Sequence, residues 1–364
     1  MDELDDLSCF RVLIMLNSAS FSKIMPKFIL TLLVMATAPL VAKETPLQEA
    51  IATAQKGDIA GAKTKLSKLA DKGDAGAMNA LGELIMTKPA EKGALEEAVK
   101  WFEKAAEANH APAQFNLGRL LVASPKGMKP DPERGEFLIK AAAEAGHPAA
   151  QFVTGARLEL KLIGDGKGPQ PDLSEVRKWY EKAAEGKNGD ALLALARFAD
   201  GGIGIEASAE KGTDLTYQAT VAGNLVAMNE MGVRYQRGQG IRKDNVAAVG
   251  WFLAAAEAGL PSAMVNLGNC YETGNGVPKN YDRAGSHYAS AAKSGFPMGQ
   301  FCLARLFEEG HGTKQNLTFA YVNYFRAAAG GVTAAVEKRD AIKAKLSADE
   351  LKEAEKLLKS GEAQ

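Results

Sequence analysis

The sequence predicts an all-α protein built from helix-turn-helix repeats of about 36 residues. An alanine-rich segment that closes on glycine recurs, as in AAEAG at 255–259 and AAKSG at 291–295. The closing residues fall at 73, 109, 146, 187, 223, 259, 295 and 331, so five of the seven intervals are 36 residues. Alanine is abundant and β-branched runs are few, which favours helix. A fixed period of this length is typical of solenoids.

The segment after each closing residue predicts the first helix of a unit. In PSAMVNLGNCYETG at 261–274, an alanine, a leucine, a glycine and a tyrosine share one helical face. Equivalent patterns occur at 113–121 and 227–235. The small residues predict that a partner helix approaches closely, with the leucine and tyrosine filling the space beside it.

A second helix with an aromatic pair is predicted before each closing residue. The pairs are WF at 101–102, WY at 179–180, WF at 251–252 and HY at 287–288. A helix of about 13 residues cannot bury its apolar stripe alone, whereas stacking on neighbouring repeats can bury it. Glycine at the closing position suits a left-handed residue after a helix end.

Four G-x-G loops separate the two helices, at 202–204, 238–240, 274–276 and 310–312. A dinucleotide fingerprint requires a preceding strand and a third glycine, and both are missing here. We therefore interpret the loops as joints in which the first glycine ends a helix and the second turns the chain. The insert KLIGDGKGPQPDLSE at 161–175 lacks the spacing and hydroxyl of a P-loop and predicts a surface loop, with a partner-contacting flap as the alternative.

The amino terminus has the form of an export signal. After Met25 come Lys27, the apolar run FILTLLVM at 28–35 and small residues up to Ala42, so 25–42 is interpreted as a signal peptide cleaved near Ala42. A short buried or anchoring helix is the alternative. The acidic start at 1–24 does not suit an export signal, which favours Met25 over Met1 as the start codon. The mature protein is then expected in the periplasm or outside the cell.

Composition and motifs argue against several functional classes. The chain has 44 basic and 44 acidic residues, so its charge provides no reason to expect nucleic acid or an anionic membrane as partner. No established catalytic motif is present, and we predict no enzyme activity, cofactor or metal. His110 and His147 are interpreted as solvated loop residues. Cys270 and Cys302 are expected to be unpaired and partly buried because their repeat positions differ by one helical turn.

The repeat unit resembles the Sel-one-like repeat (SLR) family, a branch of the tetratricopeptide-like α-solenoids. The residues that carry the resemblance are A-x-x-x-L-G-x-x-Y-x-x-G-x-G-V and then W-[FY]-x-x-A-A-E-x-G, best seen at 228–259 and 264–295. The resemblance covers roughly 46–345 and implies a right-handed superhelical solenoid of about eight helix pairs. Residues 347–364 are predicted to form a capping helix and tail, because Ser347 and Glu350 make a capping box.

The family's architecture implies that the first helices line a concave groove. Helix geometry then places the third, seventh and tenth residues after each closing residue on that surface. Amides there suit the backbone of an extended peptide, and arginines suit carboxylates. The predicted partner-binding residues are Asn116, Arg119, Arg197, Glu230, Asn266, Asn269 and Arg305. Cys302 is expected on the same surface.

These observations predict an exported, non-catalytic scaffold or adaptor that binds a protein or peptide, whose identity the sequence leaves open. One alternative is a cell-wall-active protein that binds or hydrolyses peptidoglycan or β-lactams, as the resemblance to exported SLR proteins implies. Those relatives carry repeated cysteine pairs, which this chain lacks. The other alternative is a secreted effector that acts on host proteins.

Overall fold

The computed structural model describes residues 44–87, 93–163 and 172–360, and every regular element in these ranges is an α-helix. This confirms the predicted all-α solenoid of helix pairs. The predicted extension 1–24, the signal peptide 25–42 and most of the insert, 164–171, lie outside the described residues. The predicted loop at 161–175 was too long at both ends. Lys161–Ile163 still belong to one helix, and Leu173 begins the next.

The helices belong to two compact units. The N-terminal unit includes the described residues up to Phe198 and also Gly202–Glu206, and the C-terminal unit comprises Ala199–Gly201 and the residues from Ala207 onward. The helices of the N-terminal unit are α1 Pro46–Gln55, α2 Ile59–Ala70, α3 Ala75–Met86, α4 Ala94–Glu107, α5 Ala111–Ala123, α6 Pro132–Glu144, α7 Pro148–Ile163, α8 Leu173–Glu185 and α9 Gly189–Gly201, whose last three residues belong to the C-terminal unit.

The C-terminal unit repeats the same antiparallel pairing with greater regularity. Its helices are α10 Ala209–Val221, α11 Leu225–Arg237, α12 Asn245–Glu257, α13 Pro261–Thr273, α14 Tyr281–Lys293, α15 Pro297–Glu309, α16 Leu317–Ala329, α17 Thr333–Lys343 and α18 Ala348–Ser360. In both units each odd-numbered helix from α3 to α15 is the first of a repeat. The two helices of a repeat pack together in α3–α4, α5–α6, α7–α8, α11–α12, α13–α14 and α15–α16.

Within a pair, glycine on the first helix contacts the second aromatic residue of the second helix. A Cβ placed on Gly268 would lie 2.5 Å from the Tyr288 ring, and one on Gly82 would lie 2.6 Å from the Phe102 ring. Both rings are buried. The small residues of the first helix therefore admit the neighbouring ring, as the sequence predicts.

The G-x-G loops connect the two helices of a repeat and also contact the preceding repeat. Gly274 ends α13 at φ +79°, and Gly276 follows at φ +80°. A Cβ on Gly276 would lie 2.2 Å from the carbonyl oxygen of Asn245 on α12. The second glycine is thus required by close approach to the preceding repeat as well as by its turn.

The C-terminal helix α18 begins at the predicted capping box. Ser347 N donates to Glu350 Oε2 at 2.8 Å, and Glu350 N donates to Ser347 Oγ at 3.3 Å. The helix buries Ala354 and packs on α16, where Arg326 Nη2 donates to the Leu357 carbonyl at 3.3 Å. Its outer face is charged, as expected of a helix that ends a stack.

Candidate partner-binding surface

The predicted binding residues lie on the first helices, and we call these positions the first-helix face of each unit. They are Asn116 and Arg119 on α5 and Arg197 on α9 in the N-terminal unit, and Glu230 on α11, Asn266 and Asn269 on α13 and Arg305 on α15 in the C-terminal unit. Arg119 and Arg197 are exposed and the others are half-buried. Their role in partner binding stays a prediction.

Asn116 is oriented by two side chains of the preceding repeat. Its Nδ2 donates to Asn79 Oδ1 at 3.0 Å and to Glu83 Oε1 at 2.9 Å. Asn79 Nδ2 donates to the same Glu83 oxygen at 3.1 Å. The Oδ1 atom of Asn116 makes no hydrogen bond within the described ranges. One end of the amide is therefore fixed, and the other remains an acceptor for a ligand.

The C-terminal unit contains the same amide arrangement at the same register. Asn266 Nδ2 donates to Asn229 Oδ1 at 2.8 Å. Asn229 and Asn79 both lie six residues after a closing glycine, while Asn266 and Asn116 both lie seven residues after a closing residue. The sequence analysis identified the second member of each amide pair and missed the first.

Arg197 is paired within the N-terminal unit and is not a free cation. Its Nη2 donates to both carboxylate oxygens of Glu159 on α7, at 2.7 and 2.8 Å. The hydroxyl of Tyr180 on α8 donates to Glu159 Oε2 at 2.7 Å. The Glu159 side chain is only 15% exposed, whereas that of Arg197 is 54% exposed. This cluster joins two repeats and leaves the outer side of the guanidinium accessible.

An equivalent cluster holds Arg305 and Asn269 in the C-terminal unit. Arg305 Nη2 donates to Glu272 Oε2 at 2.6 Å. The buried hydroxyl of Tyr288 donates to the same oxygen at 2.6 Å and lies 2.6 Å from Asn269 Oδ1. The Asn269 amide nitrogen makes no hydrogen bond within the described ranges. Arg305 therefore neutralises a buried carboxylate, and we do not expect it to be the first residue that a ligand contacts.

A third cluster joins Glu308, Tyr324 and Lys338 near the end of the C-terminal unit. The Tyr324 hydroxyl donates to Glu308 Oε2 at 2.6 Å, and Lys338 Nζ donates to that oxygen at 3.1 Å. The three clusters share a sequence pattern, which an alignment of the repeats on their closing residues reveals. A glutamate thirteen residues after one closing residue accompanies a tyrosine seven residues before the next. Repeats with a phenylalanine or isoleucine instead carry an uncharged residue there, in the pairs Met86 and Phe102, Val122 and Ile139, and Gln236 and Phe252.

Burial keeps the tyrosine and cysteine protons in place. It raises the pKa of Tyr180, Tyr288 and Tyr324, and the hydrogen bond from each tyrosine to a glutamate raises the pKa further. Burial also raises the pKa of Cys270 and Cys302 to about 11. These groups therefore act near neutrality as hydrogen-bond donors or apolar fillers rather than as bases or thiolate nucleophiles.

The sequence analysis also missed Arg234, which is 1% exposed. Arg234 Nη1 donates to Asp200 Oδ1 at 3.2 Å and to Thr213 Oγ1 at 3.1 Å, and its Nη2 contacts the other Asp200 oxygen. The predicted Glu230 lies one turn before it, with Oε1 3.6 Å from Arg234 Nε. Burial raises the pKa of Glu230. Glu230 thus helps to compensate a buried cation.

Three other predictions on single residues have clear outcomes. Cys270 and Cys302 are unpaired, as expected, but both are fully buried, so Cys302 does not line the first-helix face. The interpretation of His110 and His147 as solvated loop residues was wrong. Each is half-buried and caps a first helix: His110 Nδ1 accepts from Ala113 N at 3.4 Å, and His147 Nδ1 accepts from Ala150 N at 3.2 Å.

The first-helix face of the N-terminal unit includes an apolar row on α7. Ala149, Val153 and Ala156 are half-buried, and Leu160 is 66% exposed. Arg119 on α5 lies near the start of this row, because its guanidinium is 5.5 Å from the centre of the Phe115 ring and that ring is 4.9 Å from His147. No carboxylate partner of Arg119 occurs among the described residues. The row and this cation form a surface that suits an apolar, acidic segment.

The described ranges contain no cluster of three or more histidine, cysteine or carboxylate side chains with metal-site geometry. Of the helices that the structure describes, none is long and apolar enough to cross a membrane. The polar side chains of the first-helix face serve mainly to join successive repeats. Their atoms that are not used in this way can form hydrogen bonds and ion pairs.

Comparison with known proteins places this geometry among solenoids of one type. The Sel1 repeat model matches residues 75–110, 111–147, 148–188, 225–260, 261–296 and 297–332. A similar solved structure is c5321, a protective antigen of uropathogenic Escherichia coli with an SLR fold; it is 26% identical with a TM-score of 0.65 over 86% of this chain and 67% of that one. A Sel1 repeat protein from Oxalobacter formigenes is 26% identical, with a TM-score of 0.53 over 89% of this chain and 92% of that one.

Proposed function

Because the chain belongs to the Sel1 repeat family, whose solenoid fold is typical of protein-interaction scaffolds, we propose that it is an exported adaptor that binds a partner segment on its first-helix face. Proteins of this family are generally non-catalytic. We propose a binding role for the chain and no catalytic step. Its partner is a protein or peptide, and peptidoglycan is an alternative that the experiment below tests.

The observation that carries the proposal is the accessible surface of α5 and α7. Arg119 has no carboxylate partner within the described residues, and the row from Ala149 to Leu160 ends in a leucine that is 66% exposed. An exposed apolar side chain beside a cation suits a partner segment with both an apolar group and a carboxylate.

Amides on the first-helix face of each unit support an extended partner. Asn116 is held at its nitrogen by Asn79 and Glu83, so its oxygen is oriented before any ligand arrives. Asn266 is held in the same way by Asn229. Orienting a side chain in advance lowers the entropic cost of binding, and an amide oxygen accepts a backbone N–H of an extended chain.

Export is the second part of the proposal. It is supported by the pattern of 25–42, a basic start followed by an apolar run and small residues. Expression of the full chain in a Gram-negative host, followed by fractionation and amino-terminal sequencing, tests it. We expect a periplasmic or secreted species that begins near Lys43. A cytoplasmic species that retains Met25 would contradict export without affecting the binding proposal.

Binding is tested with a displayed library of random twelve-residue peptides selected on the immobilised mature chain. Enriched peptides are then measured by fluorescence anisotropy against Arg119→Gln and Leu160→Glu. Both side chains are exposed, so folding is expected to be unchanged, and each variant should weaken binding roughly tenfold, the effect of losing one charge-assisted hydrogen bond or one exposed apolar contact.

Matched controls separate the surface from general charge effects. Phe137→Glu removes an apolar side chain that is 71% exposed on the second helix α6, and Arg242→Gln removes an exposed arginine from the C-terminal unit. Neither should change the affinity. Equal losses in the test and control variants would remove the assignment to α5 and α7. Failure to enrich any peptide, combined with pelleting on purified peptidoglycan, would favour the cell-wall alternative.

A further inference from the structure

Two histidines occupy a position that uncharged amides or a carboxylate fill in three other repeats. The residue after each closing residue is the N-cap of the first helix, and its side-chain caps are Asp74, His110, His147, Asn188 and Asn224. Aspartate and asparagine keep their acceptor oxygens throughout the range from pH 5 to 8, whereas histidine changes its protonation in that range. The two histidine caps lie on neighbouring first helices, α5 and α7.

Both bonds require a neutral imidazole. The Nδ1 atom of His110 accepts from Ala113 N and that of His147 accepts from Ala150 N, so each Nδ1 must carry a lone pair. Protonation converts that acceptor into a donor that faces another donor. It also places a positive charge at the positive end of the helix dipole. Each histidine cap is therefore lost on protonation.

The packing of both rings favours the neutral form. The rings of His147 and Phe115 contact each other with their centres 4.9 Å apart and their planes tilted by 35°, and a Cβ at Gly76 of α3 would lie 3.9 Å from His110 Nε2. Burial lowers the pKa of His110 and of His147 below the ordinary value of 6.5.

The charges around the rings offset only part of the pKa lowering that burial causes. Asp74, the N-cap of α3, and Glu83 on α3 attract a proton to His110. Glu83 does the same for His147, whereas His110 repels a proton from His147. In the last turns of the preceding helices, the charged side chains are exposed: Lys104 and Glu107 on α4, and Lys140 and Glu144 on α6. Lys104 lies over Trp101, and Glu144 pairs with Lys140.

We infer that His110 and His147 make the starts of α5 and α7 acid-sensitive, so that both starts loosen as the pH falls below about 6.5 while the asparagine-capped helices stay closed. The sign follows from proton linkage. The open form has the ordinary pKa and the closed form a lower one, so the open form binds more protons between the two values. Closing is therefore favoured above about pH 6.5 and is progressively lost below it.

The inference does not depend on the proposed binding function, but it has a consequence for it. Arg119 lies over the ring of Phe115, and the centre of that ring is 4.9 Å from the centre of the His147 ring. Loosening the start of α7 would therefore disturb the surface on which the partner is proposed to bind. Acid-induced release of a partner would follow if both proposals hold.

Hydrogen exchange with mass spectrometry, on the mature full-length chain between pH 7.5 and 5.0, tests the inference. Protection factors corrected for the intrinsic pH dependence are compared for peptides covering 111–123 and 148–163, with the asparagine-capped starts of α9 and α11 as internal references. We expect protection in the first turns of α5 and α7 to fall by up to roughly tenfold per pH unit for each histidine below pH 6.5, and the references to stay constant.

The matched variant is His110→Asn combined with His147→Asn, which copies the caps at Asn188 and Asn224. It should retain protection at pH 7.5 and lose the pH dependence in both segments. Single variants, and His→Asp, which copies Asp74, provide the same comparison if the double variant does not fold. His287 is present in every variant. Any effect of its protonation on hydrogen exchange is expected only in peptides from α13 and α14. Equal pH profiles in the wild type and the asparagine variants, or a flat wild-type profile, would overturn the inference.

Discussion

The two units differ in the residues that stand at the starts of their first helices. In the C-terminal unit the closing residues 223, 259, 295 and 331 are all glycines spaced by 36, and the first helices α13, α15 and α17 start without a side-chain cap. Leu260 and Phe296 stand at the cap position of α13 and α15 and pack into the core instead. In the repeats that begin with α13 and α15 the start of the first helix is stabilised by burial, whereas α11 keeps the Asn224 cap.

The N-terminal unit departs from that regularity and relies on polar contacts. Its intervals include 37 and 41 residues, and the three described non-glycine residues with positive φ, Asn109, Ser124 and Lys187, all belong to it. Its first helices start with side-chain caps. The comparison teaches that a hydrogen-bonded cap and an apolar side chain are alternative ways to begin a first helix, and that a histidine cap can respond to pH.

The largest expected effect tests the regular unit. Gly276→Ala combines a left-handed backbone at φ +80° with a Cβ 2.2 Å from the Asn245 carbonyl oxygen, and should lower the free energy of unfolding by about 3 kcal/mol. Gly295→Ala is the matched control, because φ is +78° and nothing lies within 4 Å of its Cβ; it should cost only about 1 kcal/mol. Urea denaturation followed by circular dichroism measures both. Equal costs would mean that the contact between Gly276 and the preceding repeat yields easily.

A smaller effect tests whether the tyrosine clusters are equivalent in the two units. Tyr288→Phe and Tyr180→Phe each remove one hydrogen bond to a half-buried glutamate and should each cost about 1–2 kcal/mol. Phe252→Tyr is the control, since its repeat carries Gln236 in place of the glutamate. Hydrogen exchange of α8 and α14 assigns each loss to its unit. If the free energy of unfolding fell in only one of the two variants, the clusters would have the same geometry without contributing equally to stability.

The smallest effect is a gain in the irregular unit. Lys187 stands where six other repeats have a closing glycine, and its φ is +58°. Lys187→Gly relieves that strain and should raise the free energy of unfolding by about 0.5–1 kcal/mol after the entropic cost of glycine. The change in urea midpoint reports it. A destabilised variant would indicate that the irregular spacing, rather than the backbone conformation, limits this junction.

The repeat architecture was predictable because it depends on local, periodic information. Ala263, Leu267 and Gly268 are buried as their spacing predicts, and Gly274 ends its helix in the left-handed conformation expected of it. The candidate surface was predictable only in outline. Helix geometry placed Arg197 and Arg305 on the first-helix face, but their carboxylate partners lie 38 and 33 residues earlier in the chain. Those pairings depend on how neighbouring repeats stack.

The sequence by itself determined the helices, their order and the positions of their joints, because each depends on residues within one repeat. Only the tertiary structure decided which polar side chains pair with one another and which remain accessible. The side chains of Glu159 and Glu272 are only 15% and 14% exposed because the next repeat stacks over them, and carboxylates removed from water in this way need a partner such as Arg197 or Arg305. The same stacking half-buries His110 and His147, so that histidines of apparently open loops become caps sensitive to protonation.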